Sequence, residues 1–224
     1  MYGKGPALTE IQRPKSDPPS FLHTTGAGRR IVHLGPTEPL FRQGDPPTVV
    51  FYILKGRAKL TVTSLDGREA TISLFSTGDF IGEEAIASSA GPRAASANTI
   101  TACTVIEMAR EHLIRALETD HALLEMMLAF ALNRNMRTQA DLADHLFNSS
   151  EKRLARALLL MADITGSEEA IALLPAITQE TLAEIVGTTR SRINFFMNSF
   201  RDRGYIEYGR RIRVHKSLLN VVLR

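Results

Sequence analysis

The sequence predicts an α+β chain in which an N-terminal β-roll is followed by one long helix and a C-terminal winged helix-turn-helix. Short segments rich in β-branched and aromatic residues alternate with turn residues from Arg30 to about Met108. At Arg110 the hydrophobic period becomes helical, and near the C-terminus two capped helices are joined by a glycine. We place the parts at 1–22 (flexible arm), 23–119 (β-roll sensor domain), 120–147 (dimerisation helix) and 148–224 (helix-turn-helix domain).

Composition excludes several classes of protein. No apolar run approaches the roughly 18 residues that a membrane span needs, so we expect no membrane partner. The N-terminal segment lacks the apolar core of a secretory signal, which favours a cytoplasmic location. The single cysteine, Cys103, excludes an intrachain disulfide and an iron–sulfur cluster, and we expect a buried small residue there. The six histidines are scattered along the chain, so we expect no metal site.

Positive charge is concentrated at the C-terminal end. Segment 186–224 contains nine Lys or Arg residues against two acidic ones, whereas the whole chain has a net charge of only +3. A cationic end on a slightly acidic body is the pattern that attracts a polyanion. Composition alone leaves open a basic face that is merely solvated.

Glycines recur every 11 or 12 residues in the β-like region, at Gly44, Gly56, Gly67 and Gly78. The segments 49–56, 57–64 and 70–76 have the composition of strands, and Asp66-Gly67 predicts a hairpin. This even spacing is typical of strands that wind into a roll or barrel, although a β-sandwich shows a similar spacing.

Segment 121–147 contains no Pro or Gly and predicts one long helix. Residues spaced by four and three along it match the seam of a two-stranded coiled coil. We expect this seam to join a homodimer through Leu124, Leu128, Ala131, Asn135, Thr138, Leu142 and His145. The alternative is that the same positions pack on the β-roll of their own chain.

We place the boundary of the C-terminal domain at Asn148. Asn148 and Glu151 have the spacing of a capping box that would begin the next helix. That helix has an apolar stripe formed by Leu154, Ala157, Leu158 and Met161. We expect a loop or a short hairpin over residues 164–176.

Segment 177–206 predicts a helix-turn-helix. Thr178 caps a short helix that stops at Gly187, a residue type that tolerates a left-handed turn. Thr189 caps the second helix, whose core face comprises Ile193, Phe196, Met197 and Phe200. Its opposite face carries arginine and asparagine side chains, which bond to guanine and adenine in the major groove. Residues 205–215 then form a hairpin, the wing, with Gly209-Arg210-Arg211 at its tip.

Double-stranded DNA is therefore the expected partner. Arg190 and Arg192 are our first candidates for base contacts, followed by Asn194 and Asn198. The complete predicted interface comprises Thr178, Thr188, Thr189, Arg190, Ser191, Arg192, Asn194, Asn198 and Arg210, of which Thr178, Thr189 and Arg210 are expected at phosphates. An ordinary helical hairpin with a solvated polar face is the alternative.

Four motifs resemble those of the cyclic-AMP receptor protein and fumarate–nitrate regulator (Crp/Fnr) superfamily of bacterial transcription regulators. These are FRQGD at 41–45, FYILKG at 51–56, GDFIGE at 78–83 and VGTTRSRI at 186–193. The resemblance covers nearly the whole chain after the arm, with the domains in the same order. It implies a cyclic-nucleotide-binding-like β-roll, a homodimer, a two-fold symmetric operator and contact with RNA polymerase.

The resemblance also implies a small effector, with cyclic AMP as the first candidate. In that family Gly-Glu and an arginine bind phosphate and ribose, and a polar pair on the long helix meets the purine. The matching positions are Gly82, Glu83, Arg93, Ala94, Thr138 and Gln139. Ala94 replaces a Ser or Thr that donates to phosphate, and Gln139 replaces a Ser that helps to read adenine.

The recognition helix departs from the family pattern as well. Arg190 matches the arginine that reads guanine, but Ser191 stands in place of a base-reading Glu and Phe195 in place of a second Arg. We therefore expect an operator that differs from the receptor's own consensus.

Three alternatives to this function stay open. In the first, Arg93 and Glu83 form a structural ion pair in a vestigial pocket, and the regulator acts without a ligand. The second is a cupin-type enzyme, which needs a His/Glu metal cluster that the β-roll segment lacks. The third, a regulatory nucleotide module of a kinase or channel, gives no reason for the C-terminal helix-turn-helix.

Overall fold

The computed structural model describes residues 22, 26, 28–67, 69–87, 91–162, 171–174, 176–208 and 211–223. The chain divides into an N-terminal unit that ends at Met136 and a C-terminal unit that begins at Arg137. Apart from Leu22, the predicted arm lies outside the described residues, as do Gly209 and Arg210 of the predicted wing tip.

Two antiparallel sheets form the β-roll of the N-terminal unit, with strand orders β1-β8-β3-β6 and β2-β7-β4-β5. The strands are β1 Arg29–Leu34, β2 Pro39–Phe41, β3 Val49–Lys55, β4 Arg57–Thr63, β5 Glu69–Ser76, β6 Phe80–Ile81, β7 Ser96–Thr99 and β8 Cys103–Ala109. The helical segments are a 3-10 helix at Glu83–Ile86, then α1 at Arg110–Thr119 and α2 at His121–Phe147.

Strand β3 lies between two hydrophobic cores, because successive side chains of a strand point to opposite faces. Phe51 and Ile53 pack in the core between the sheets, whereas Val50 and Tyr52 pack in a second core with residues of α1 and α2. Both faces are buried, which explains why this strand is apolar without alternation. The roll is therefore held on one side by its second sheet and on the other by helices.

Two local predictions for the roll are confirmed. Strands β4 and β5 pair antiparallel on either side of Asp66-Gly67, from Arg57 opposite Ser76 to Thr63 opposite Glu69. Cys103 is buried in the core between the sheets and is 3% exposed. Burial raises the pKa of its thiol, so it is a packing residue and not a reactive one.

Helix α2 presents different faces to the β-roll and to solvent. Leu123 and Met127 are buried in the core beneath the roll. The residues of the predicted seam are all exposed: Leu124, Leu128, Ala131, Asn135, Thr138, Leu142 and His145. Up to Met136, therefore, the face that packs on the roll is offset by one residue from the seam, and the seam is left uncovered.

The C-terminal unit contains the remainder of α2 and a set of short elements. These are α3 Ser150–Met161, β9 Ile171–Leu173, α4 Gln179–Val186, α5 Arg190–Asp202, β10 Ile206–Tyr208, β11 Ile212–His215, a 3-10 helix Lys216–Leu218 and α6 Leu219–Leu223. The wing strands β10 and β11 pair as predicted, and β9 joins them to give the order β10-β11-β9. β9 lies in the stretch expected to be a loop or a short hairpin, and its partner is about forty residues further along the chain.

The start of α3 corrects one prediction. Its N-cap is Ser149, whose hydroxyl accepts a hydrogen bond from Lys152 N at 3.4 Å, so the predicted capping box of Asn148 and Glu151 is wrong. The Asn148 side chain instead donates to Asp144 Oδ1 of α2 at 2.6 Å. The apolar stripe of α3 is buried as expected at Leu154, Ala157, Leu158 and Met161.

Candidate functional site

The helix-turn-helix is fixed by two threonine caps and one glycine. Thr178 Oγ1 accepts from Thr181 N at 3.1 Å and begins α4, and Thr189 Oγ1 accepts from Arg192 N at 3.3 Å and begins α5. Between the helices, Gly187 has φ 65° and ψ 49°, the left-handed conformation that favours glycine. These local predictions are confirmed.

Arg153 of α3 secures the end of α4. Its Nε and Nη2 donate to Val186 O at 3.1 and 3.0 Å, and its Nη1 donates to Asn148 O at 3.0 Å. The last carbonyls of a helix lack intrahelical donors, so this guanidinium satisfies Val186 O and holds the turn against α3. Sequence analysis gave Arg153 no role, because its partner lies 33 residues away.

Helix α5 separates an apolar face from a polar one. Ile193, Phe196, Met197 and Phe200 are buried, as predicted. The predicted contact residues Arg190, Ser191, Arg192 and Asn194 are exposed, and Asn198 is half-buried. Of the remaining predicted contacts, Thr178 and Thr189 are exposed, Thr188 is half-buried, and Arg210 lies outside the described residues.

Two contacts from α4 orient side chains on this polar face. Arg190 Nη1 lies 2.9 Å from Glu180 Oε1, and Gln179 Nε2 donates to Asn194 Oδ1 at 3.4 Å. The side chains of Arg190 and Glu180 are 69% and 54% exposed, and such surface pairs contribute about 0–1 kcal/mol. The ion pair that holds Arg190 is therefore weaker than a bidentate hydrogen bond from an arginine to a guanine. Glu180 was missed because nothing in its local pattern marks it.

In the β-roll the structure brings Gly82 and Arg93 together. Arg93 Nη1 donates to Gly82 O at 2.9 Å and to Glu84 Oε1 at 2.7 Å, and Arg93 Nη2 donates to Val49 O. The guanidinium carbon lies 4.1 Å from the centroid of the Phe41 ring. The Arg93 side chain is fully buried, and its Nε has no hydrogen-bond partner among the described residues.

Glu83 has a different partner from the one that sequence analysis considered. Its Oε1 pairs with Arg134 Nη1 of α2, so the alternative of an ion pair between Arg93 and Glu83 is wrong. Burial raises the pKa of the Glu83 carboxyl, and the nearby Arg134 charge opposes that rise. Glu83 Oε2 is buried without a hydrogen-bond partner among the described residues.

Arg134 and Glu84 are the ion-pair partners of Glu83 and Arg93 that sequence analysis missed. Arg134 lies four residues before Thr138, on the same side of one helix, and that spacing was the available signal. Of the other predicted effector positions, Ala94 is exposed, and Thr138 and Gln139 are exposed on the part of α2 that belongs to the C-terminal unit.

Gly82 is a position where a side chain is expected to be costly. Its φ is +80°, and a Cβ there would lie 2.7 Å from Arg93 Nη1. We expect Gly82→Ala to lower the free energy of unfolding of the N-terminal unit by at least about 1–2 kcal/mol, because the left-handed conformation alone costs that much. Urea unfolding followed by circular dichroism measures the change.

The matched control for Gly82 is Gly91→Ala in the same unit. A Cβ at Gly91 meets nothing within 4 Å, and its φ lies outside the left-handed range. Gly91→Ala is expected to be neutral or to stabilise by less than about 1 kcal/mol. Equal losses in the two variants would show that the backbone at Gly82 is not the cause.

Two features of the described residues bear on other classes of function. They contain no group of three His, Cys, Asp or Glu side chains arranged to hold a metal ion. In the same part of the chain, every helix is too short or too polar to cross a bilayer.

Comparison with known families matches both halves of the chain. A family model of the cyclic nucleotide-binding domain matches residues 31–120, and one of the Crp-like helix-turn-helix domain matches residues 152–217. The CRP-like cAMP-activated global transcriptional regulator of Mycobacterium tuberculosis is 32% identical over 75% of this chain and 75% of its own length. The cAMP-activated global transcriptional regulator CRP of Escherichia coli O157:H7 is 25% identical over 82% and 89%.

Solved structures share the fold. The c-di-GMP responsive global regulator CLP of Xanthomonas campestris superposes with a TM-score of 0.69 at 20% identity, over 87% of this chain and 96% of that one. A CRP/FNR-family transcriptional regulator of Thermus thermophilus gives 0.71 at 22% identity, over 86% and 98%. With a relative above 30% identity over three quarters of both chains, this chain belongs to the Crp/Fnr superfamily of transcription regulators.

Proposed function

We propose that this regulator binds a two-fold symmetric DNA operator as a homodimer, under the control of a cyclic nucleotide held in the β-roll. The observation that carries the DNA-binding part is the polar face of α5, where Arg190, Arg192 and Asn194 are exposed beside a capped helix N-terminus. Free N–H groups at a helix N-terminus and nearby arginines both favour phosphate and base-edge acceptors. The excess of basic residues in segment 186–224 adds a general attraction for the DNA backbone.

The exposed seam of α2 supports the homodimer. Leu124, Leu128 and Leu142 of the seam are 44%, 57% and 60% exposed, and Leu132 and Leu146 elsewhere on α2 are exposed as well, so this helix has a large apolar surface that its own chain leaves uncovered among the described residues. Burying each against a second copy would remove about 1.5–3 kcal/mol of unfavourable hydration per side chain. A parallel dimer also fits an operator whose two half-sites lie one helical turn, about 34 Å, apart.

A charge in the seam is expected to separate the dimer. Leu128→Asp places two carboxylates across the two-fold axis, where an unpaired buried charge is strongly unfavourable. Sedimentation equilibrium should then give the mass of one chain for the variant and of two chains for the unsubstituted protein. Leu65→Asp is the control, because Leu65 is fully exposed in the turn between β4 and β5. A Leu128→Asp variant that stays dimeric would refute the proposal that the seam is the dimer interface.

The β-roll supports an effector through Glu83. A buried carboxylate oxygen without a partner is rare, and a ribose hydroxyl is the kind of donor that would satisfy Glu83 Oε2. Glu84 Oε1 accepts from Arg93 Nη1, but the Glu84 side chain is 52% exposed, so a phosphate that replaces it at Arg93 lets the Glu84 carboxylate return to water. Cyclic AMP is the first candidate, and Thr138 and Gln139 are the candidates for contact with the base.

Calorimetric titration of the full chain with cyclic AMP, cyclic GMP and cyclic di-GMP tests the effector. We expect one of them to bind, and Glu83→Gln to weaken that binding about 10- to 150-fold, because a hydrogen bond to a charged group contributes about 1.5–3 kcal/mol. Glu118→Gln, which alters an exposed carboxylate on α1, serves as the control. No heat from any of the three, with DNA binding intact, would favour a regulator that acts without a ligand.

Control of DNA binding then follows as a shift between two states of the dimer. An effector stabilises whichever state it binds more tightly, and the size of the shift equals that difference in affinity. Helix α2 carries both the seam and the residue that pairs with Glu83, so it is the element through which such a shift would pass. In this proposal the protein works in the cytoplasm and contacts RNA polymerase at its promoters.

A further inference from the structure

Phe195 is a large apolar side chain on the exposed face of α5. Its side chain is 69% exposed, whereas the next residue, Phe196, is 9% exposed and belongs to the core. Fully burying a phenylalanine stabilises a fold by about 1.5–3 kcal/mol, and Phe195 forgoes most of that gain. Its ring meets only the edge of Phe196, with centroids 5.7 Å apart, among the ring contacts of the described residues.

The Phe195 ring lies on a well-packed helix, among the polar side chains that we propose for DNA contact. Residues on the opposite face of α5, including Ile193 and Phe200, are completely buried and fix the helix. Asn194, the preceding residue, accepts a hydrogen bond from Gln179 Nε2 at 3.4 Å, and Ser191 lies one turn earlier than Phe195 on the same face. The surroundings are cationic, because Arg190, Arg192 and Arg201 are all exposed on this helix. A polyanion is therefore the partner that the patch fits.

Only one group on the base edges in the major groove is apolar, the C5-methyl of thymine. A phenyl ring offers no hydrogen bond, so it satisfies neither the amino group of cytosine nor the acceptors of guanine. Placing it against those groups would bury polar atoms without partners, which costs more than the ring gains. A phenyl ring at this place therefore favours binding to a thymine and disfavours binding to a C·G pair at the same position.

We propose that Phe195 is a specificity-determining residue that reads the methyl group of one thymine in each half of the operator. This inference rests on the proposed binding of DNA by the helix-turn-helix. It adds to the hydrogen-bonding readout by Arg190 an apolar readout on the next turn of the helix. Since Phe195 carries no charge, its contribution is independent of salt, unlike that of the arginines around it.

The test couples a protein change to removal of a single methyl group. An operator is first selected from a random DNA pool with the full chain, with and without cyclic AMP. Each thymine of both half-sites is then replaced by deoxyuridine, which lacks only the C5-methyl. At one position we expect the affinity of the unsubstituted protein to fall about fourfold per half-site, the value of one buried methyl group. Phe195→Ala should bind both DNAs equally.

Phe147→Ala is the matched control, because Phe147 is 84% exposed in the same unit but lies at the end of α2. It should keep the full response to deoxyuridine. If every deoxyuridine lowers the affinity of Phe195→Ala and of the unsubstituted protein alike, the inference is wrong while DNA binding stands. If the unsubstituted chain selects no sequence at all, the proposed function fails together with it. A Phe195 that matters only for transcription with RNA polymerase, and not for affinity, would also overturn this assignment.

Discussion

Arg190→Ala is expected to lower the affinity for the operator roughly 5- to 150-fold for each half-site, since a bidentate contact with guanine contributes about 1–3 kcal/mol of discrimination. In a dimer both half-sites lose this contact, so the two factors multiply. The substitution should change the stability of the free protein little, because the ion pair of Arg190 with Glu180 is solvent-exposed. Fluorescence anisotropy with the selected operator, and with an unrelated duplex of equal length, measures both affinities.

The unrelated duplex separates base reading from phosphate binding. Loss of a base contact weakens the operator complex and leaves non-specific binding nearly unchanged, whereas loss of a phosphate contact weakens both and lowers the salt slope by about one. Arg201→Ala is the control, an exposed arginine on the last turn of α5 that pairs with Asp202 at 3.1 Å. An equal effect of Arg190→Ala on both duplexes would show that Arg190 contacts the phosphates of the DNA backbone and does not read a base.

Arg93→Met is expected to lower the free energy of unfolding of the N-terminal unit by about 2–3 kcal/mol. Methionine refills most of the volume against Phe41 but donates nothing to Gly82 O or Val49 O. Removing one member of a buried ion pair usually costs about 3–5 kcal/mol, but the Glu84 side chain is 52% exposed and regains water. The loss should therefore lie towards or below the lower end of that range, and urea unfolding gives its size.

Arg42→Met is the matched variant, because Arg42 is an exposed arginine in the same unit. A surface substitution of this kind is expected to change stability by less than about 0.5 kcal/mol. If Arg93→Met were equally mild, the buried guanidinium would not be a structural element.

Local features of the fold were predictable because a few adjacent residues encode them. The caps at Thr178 and Thr189 and the left-handed Gly187 each depend on side chains within four positions. The hairpin at Asp66-Gly67 is of the same kind. Where two local signals compete, as at Asn148 and Ser149, the sequence does not rank them, and a contact with Asp144 decided which residue caps α3.

The DNA-directed face was predictable for a similar reason, since helical periodicity separates its apolar and polar residues. The contacts around Glu83 and Arg93, where we propose that an effector binds, were less predictable. The residues that make them come from segments up to 51 positions apart, and neighbouring acidic and basic side chains can pair in more than one way. The folded chain pairs Arg93 with Glu84 and Glu83 with Arg134. The exposure of Phe195 likewise depends on how the helix is rotated against its core.

The sequence by itself determined the order of the domains, the family, the helix-turn-helix and the positions of the polar side chains that we propose for DNA contact, because these follow from short-range periodicity, caps and motifs. Only the tertiary structure decided which face of α2 packs on the roll, which carboxylate each buried arginine meets, and that β9 completes the sheet of the wing. Those outcomes depend on packing and desolvation between residues far apart in the chain. No local pattern contains that information.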